Sequence, residues 1–243
     1  KTLPLTFAFG YVSDPARPNP MRDYDQGAAQ FRYFMTYLES QTQFQWKISP
    51  IFGKKYQYSS HPNLQIGKRY EAMWNNVLLQ VNVVMSAGVD QMELFAESYG
   101  HDHDALFAWF GHSRLGSGFD AESFEYKIQG QPEYYSLSPN YQVIYWAGCN
   151  SYSYYTMPFF KMKAALNPET DPFGTKNLDI LANGMPSYFS LNAVNARLAF
   201  EHFISWEEPS SYQTLIEQIE AQASRMGIQV LATVLGDEDN EAR

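Results

Sequence analysis

Apolar positions along the chain fall into two patterns. Some form short uninterrupted runs: Leu5–Val12 (LTFAFGYV), Ala105–Gly111 (ALFAWFG), Val143–Ala147 (VIYWA), Leu178–Ala182 and Ile228–Leu235. Runs of this length, bounded by turn residues, suit strands buried on both faces. Elsewhere apolar residues recur every third or fourth position. Ala28, Phe31, Phe34, Met35 and Leu38 predict a helix capped by Asp25. Tyr70, Met73, Trp74, Val77, Leu78, Val81, Val84 and Met85 predict one long amphipathic helix ended by Gly88. Further helices are predicted over Gln91–Ser98, Phe159–Leu166 (opened by Pro158), Asn192–Ile204 and Ser211–Ala223. Phe44–Ile48 reads as a short strand, 49–67 as an extended loop or irregular hairpin, and 122–139 as a polar hairpin. Strands alternating with helices predict a three-layer α/β/α sandwich. Its sheet would be mainly parallel, of about six strands, in one domain spanning 1–243.

Composition narrows the classes of function. A chain of 243 residues with 45% hydrophobic and 18% charged residues can fill one core. The net charge of -9, with no run of Lys or Arg, gives no footprint for nucleic acid and mildly favours cationic substrates such as basic peptides. Cys149 is the only cysteine, so no internal disulfide can form. No apolar run approaches the roughly 20 residues of a membrane helix. The chain starts at Lys1 rather than Met, which fits a mature product after signal removal, a trimmed chain or an excised domain, with an exported or periplasmic protein favoured over a cytoplasmic one.

In parallel sheets, ligands bind beyond the carboxyl ends of the strands. His112, Cys149 and Asn183 each close an apolar run, so the three are expected on one edge. A thiolate nucleophile needs an imidazole to take its proton and backbone N–H groups to hold an oxyanion. WAGCN and FGHS supply both at strand ends, with Gly148 allowing close backbone approach. Each residue also has a plain reading: Cys149 as a buried thiol, His112 as a strand-end histidine. Ser151–Tyr155 (SYSYY) reads equally as a groove wall or as packing. The segment His101-Asp102-His103-Asp104 looks like a metal cluster, but a third ligand would have to come from His61 or His202. It reads as a solvated loop, and neither a metal nor an organic cofactor is expected. Ser113 lies in a near match to the esterase elbow G-x-S-x-G, with His202 and Asp179 as partners on paper. Leu115 stands where that turn needs glycine.

The order LFAWFGHS, spacer, VIYWAGCN resembles the caspase–hemoglobinase superfamily of cysteine peptidases, which includes caspases, legumains, clostripain and gingipains. The resemblance extends over Ala105–Asn195. It implies a caspase- or gingipain-like fold and a cysteine endopeptidase acting on peptides or proteins without a cofactor. Cys149 would be the nucleophile and His112 the general acid/base. The N–H groups of Cys149 and Ser113 would hold the oxyanion, with Gly148 beside them. Asn150, Tyr152 and Asn183 would border the substrate. Asp120, Glu122 and Glu125 lie in the region that would select a basic residue. Two positions depart from the family: Ser113 where it usually has Gly, and Gly148 where it usually has Ala. A domain that kept this fold as a binding or scaffold module, and a serine esterase, are the alternatives.

Overall fold

The computed structural model describes all residues except 14–16, 54–61, 87–90, 102–103, 114–118, 206–209 and 238–243. In chain order the elements are β1 (Thr2–Gly10), α1 (Gln26–Ser40), β2 (Lys47–Phe52), β3 (Gln65–Trp74), β4 (Val77–Ser86) and α2 (Gln91–Phe95). A π-helical turn, Ala96–His101, extends α2. Then come β5 (Leu106–Phe110), α3 (Ala121–Gly130), β6 (Gln142–Trp146), α4 (Ser151–Leu166) and β7 (Leu178–Asn183). A 3-10 turn, Phe189–Leu191, precedes α5 (Asn192–Ile204), α6 (Tyr212–Arg225) and β8 (Ala232–Leu235).

All strands join one sheet in the order β2-β3-β4-β1-β5-β6-β7-β8. The centre, β4 through β7 in that order, is parallel. The pairs β2–β3, β3–β4 and β7–β8 are antiparallel. Side chains alternate across the central strands and fill both faces. Phe7, Phe9, Ala108, Phe110 and Tyr145 pack on one side with Phe31, Phe34, Phe200 and Leu215 of α1, α5 and α6. Ala8, Phe107, Trp109, Ile144 and Trp146 pack on the other with Phe95, Phe124, Tyr155 and Phe159 of α2, α3 and α4. This is an α/β sandwich, and it explains why the central strands read as unbroken apolar runs. Each fully buried aromatic contributes about 1.5–3 kcal/mol of transfer free energy.

The predicted helix through Tyr70–Met85 is instead the hairpin β3–β4. Asn75 and Asn76 both take positive φ, 48° and 63°, and join Trp74 to Val77. Two left-handed residues in a two-residue loop match the twist of paired strands, and Asn tolerates that conformation. Val77, Leu79, Val81 and Val83 alternate into the core, so the period is two, not three to four. The predicted hairpin over 122–139 is in part the helix α3, whose Ala121, Phe124 and Ile128 lie on one stripe. Pro158 lies inside α4 rather than opening it. The helix begins at Ser151 because Tyr155 and Phe159 hold that turn against Trp146. Among the described residues the sheet has eight strands rather than about six, since the predicted long helix is instead the two strands β3 and β4. The second strand is Lys47–Phe52, and the last begins only at Ala232 and runs antiparallel. No helix among the described residues is long and apolar enough to cross a membrane.

Candidate active site

The strands β5 and β6 pair in parallel, Leu106 with Val143 through Trp109 with Trp146. Ala147 N–H donates to Trp109 C=O at 2.9 Å and carries the ladder one step further. His112 and Cys149 each follow three residues after the last registered pair, Trp109 and Trp146, at the carboxyl ends of these neighbouring strands. Trp109 fixes the exit of β5: its Nε1 donates to the His112 carbonyl at 2.9 Å. Its ring lies so close to Gly111 that a Cβ there would sit 2.7 Å from it.

His112 is half-buried. Its Nε2 lies 2.9 Å from the Val12 carbonyl, just past the end of β1. A carbonyl only accepts, so Nε2 carries a proton, and the neutral tautomer that makes this bond has its lone pair on Nδ1. The ring packs edge-on against Phe189, with centroids 5.1 Å apart. Cys149 is also half-buried. Its Sγ accepts from Ser187 N–H at 3.2 Å and lies 3.4 Å from Ser187 Oγ. One loop after β7 therefore touches both residues. No hydrogen bond joins thiol and imidazole among the described residues.

The chain turns sharply after the thiol. Asn150 is left-handed, with φ 48° and ψ 31°, and its N–H donates to Met185 C=O at 3.0 Å. Ser151 Oγ then donates to Trp146 C=O at 2.6 Å and accepts Asn183 N–H at 2.8 Å, tying the ends of β6 and β7 together. The turn places the thiol before the first turn of α4, whose N-terminal peptide dipoles favour nearby negative charge. Neither the Cys149 nor the Ser113 N–H has an acceptor among the described residues. Ser113 is 3% exposed, and its Oγ is buried without a partner among the described residues. It faces Gly148: a Cβ on Gly148 would lie 2.4 Å from that oxygen.

The remaining expected residues are more dispersed. Asn183 ends β7, where its Oδ1 accepts from Met185 N–H at 3.2 Å and Leu231 N–H at 3.4 Å. Tyr152 stands exposed on the first turn of α4. Asp120 occupies the N-cap position of α3 and accepts from Ser123 Oγ at 2.5 Å. Glu122 and Glu125 are on that helix. None of these acids lines the cleft that opens beside Ser187. That cleft measures about 360 Å³, counting the solvent at its mouth. Tyr145, Ala147, Asn183, Asn192 and Asn195 form much of its wall, and no lining residue is charged.

The paper triad of an esterase is not assembled. Asp179 lies at the start of β7 and accepts from Tyr141, on the sheet edge opposite Ser113. His202 Nδ1 is 2.7 Å from Ser210 Oγ instead. In the HDHD segment, Asp102 and His103 fall outside the described residues, as do His61, Leu115 and Gly116. Asp104 is buried and receives the Thr6 hydroxyl. No group of three metal-ligating side chains occurs among the described residues.

Sequence reasoning missed Val12, Ser187 and Phe189. Val12 and Ser187 act largely through backbone atoms, which leave no mark on residue type. No family model, curated protein or solved structure matches the chain.

Proposed function

We propose that this protein is a cysteine peptidase of the caspase–hemoglobinase type, with Cys149 as nucleophile and His112 as general acid/base. The observation that carries the reading is that the two residues follow the carboxyl ends of adjacent parallel strands, each three residues past the last registered pair. The proton on Nε2 supports it, since Nδ1 is then free to act as base. The order of strands, with an antiparallel strand beside β7, is in keeping with a caspase-like sandwich.

In this mechanism His112 Nδ1 takes the thiol proton and Sγ attacks the scissile carbonyl carbon. The carbonyl π pair moves to oxygen, and the free N–H groups of Cys149 and Ser113 hold the oxyanion. The oxyanion collapses, the C–N bond breaks, and His112 gives its proton to the departing amine. A water then attacks the thioester carbonyl carbon, losing its proton to His112; the C–S bond breaks, the acid leaves, and His112 returns the proton to the sulfur. In the free enzyme the thiol rests on Ser187, and substrate must draw it toward His112. Such loose contacts are common before substrate binds.

The test is labelling by a thiol-reactive peptide ketone. Cys149 should react much faster than free cysteine, and His112→Ala should abolish the excess. A Cys149 that reacts no faster than free cysteine would refute the peptidase and leave a non-catalytic binding domain.

A further inference from the structure

Building on the dyad reading, we propose that Asp25 is a positioning residue for His112 and acts through a single peptide group. The Val12–Ser13 peptide is bonded at both ends. Its carbonyl accepts from His112 Nε2 at 2.9 Å, and its N–H donates to Asp25 Oδ2 at 3.3 Å. Asp25 also receives the Val12 N–H, at 3.1 Å from each carboxylate oxygen. An amide whose N–H is bound by an anion has a more polarised carbonyl, which is then a stronger acceptor. The carboxylate thus favours the Nε2–H tautomer and steadies the imidazolium formed when His112 takes the thiol proton. In serine proteases an aspartate does this by direct contact with the ring; here one peptide intervenes.

The scaffold holds Asp25 rigidly enough for this role. Its Oδ1 caps α1, accepting from Gly27 N–H at 2.8 Å and Ala28 N–H at 3.3 Å. The first turn of α1 presses on the end of β1: a Cβ on Gly27 would lie 2.0 Å from Gly10 O. The carboxylate cannot shift without moving the helix off the strand. The neighbouring acid, Asp23, is occupied by the Tyr11 hydroxyl at 2.8 Å and Asn19 N–H at 2.7 Å.

Oδ1 caps α1 and Oδ2 alone receives the Ser13 N–H, with the Val12 N–H shared between them, so Asp25→Asn separates the cap from the Ser13 contact. Asn caps helices as well as Asp does, and its remaining oxygen can serve α1. Its NH₂ group cannot accept from Ser13, and the neutral amide removes the anion from the Val12–Ser13 peptide. Full-length D25N should melt close to wild type, yet Cys149 labelling should slow roughly tenfold. The ¹⁵N shifts of the His112 ring should move from a pure Nε2–H tautomer toward a mixture. Asp25→Ser, another good cap that lacks the second acceptor, should do the same. Unmoved His112 ring shifts in both variants would overturn the positioning role whatever the labelling rate. If instead H112A labels as fast as wild type, the dyad reading falls, and the ring shifts still decide the role of Asp25.

Discussion

Gly148 offers the sharpest test of packing at the strand ends. Its φ is not among the positive ones, so alanine meets no backbone penalty there and the cost of G148A is purely steric. The new methyl would lie 2.4 Å from Ser113 Oγ, 3.2 Å from Gly111 O and 3.4 Å from Ser113 N. The first contact is far too short and the site is buried, so Ser113 must rotate or the β5 exit must yield. Overpacking of this kind costs about 1–3 kcal/mol. Ser113→Gly removes the obstructing oxygen. Losing a buried, unpartnered hydroxyl is favourable, while the added chain freedom of glycine costs about 0.5–1 kcal/mol, so S113G alone should be close to neutral. In the double variant the methyl occupies the vacated space, and stability should return to within about 0.5 kcal/mol of wild type. Urea unfolding of the four proteins, compared at constant slope, measures the coupling. A double variant as unstable as the sum of its parts would refute the reasoning.

Three other outcomes follow from particular residues. Burial lowers the Lys163 pKa from its ordinary 10.5 to about 7, with Asp171 opposing; its Nζ donates to the Ser138 and Asn140 carbonyls and to Gln142 Oε1. The unfolded chain therefore binds more protons between those two values, so this group makes the fold more stable as pH rises from about 7 toward 10.5. Lys163→Met should flatten that rise in urea midpoints, and an unchanged slope would exclude Lys163 as its source. In the β3–β4 turn, N76G should gain about 0.5 kcal/mol and N76V lose about 1 kcal/mol or more, because the position is left-handed. Equal midpoints for the two variants would argue against that turn. Finally, on the proposed peptidase reading, the uncharged cleft beside Ser187 favours an uncharged residue before the scissile bond over the basic one that the acidic residues of α3 suggested. Matched ketones carrying Asn, Gln, Ala or Arg there should label Cys149 faster with the uncharged side chains; a preference for Arg would show that another surface sets specificity.

The parts of the fold legible in the sequence are those where one physical constraint acts alone. Strands buried on both faces can only be apolar, so β1, β5, β6 and β7 were readable, and with them the positions of His112 and Cys149. The β3–β4 hairpin was not. Val and Leu occur there often enough to satisfy both a helical and a strand period, and the decision rests on two asparagines that carry no apolar signal. The cap on α1 was legible from Asp25, but its second contact, with the Val12–Ser13 peptide, belongs to the backbone of a distant loop.

Ser113 and Gly148 show the same limit most clearly. Read along the chain, they are two separate departures from the pattern this sequence resembles. One adds a side chain where an oxyanion would bind, and the other removes a harmless methyl. In space they face each other, and the hydroxyl of Ser113 lies where the methyl of an alanine at 148 would press. The added atoms of one position occupy the room given up by the other. Among the described residues, the backbone N–H groups of Cys149 and Ser113 stay without acceptors beside that pair. The serine therefore need not close the oxyanion site: its side chain is directed into the gap at Gly148, and the donors that catalysis would use remain free.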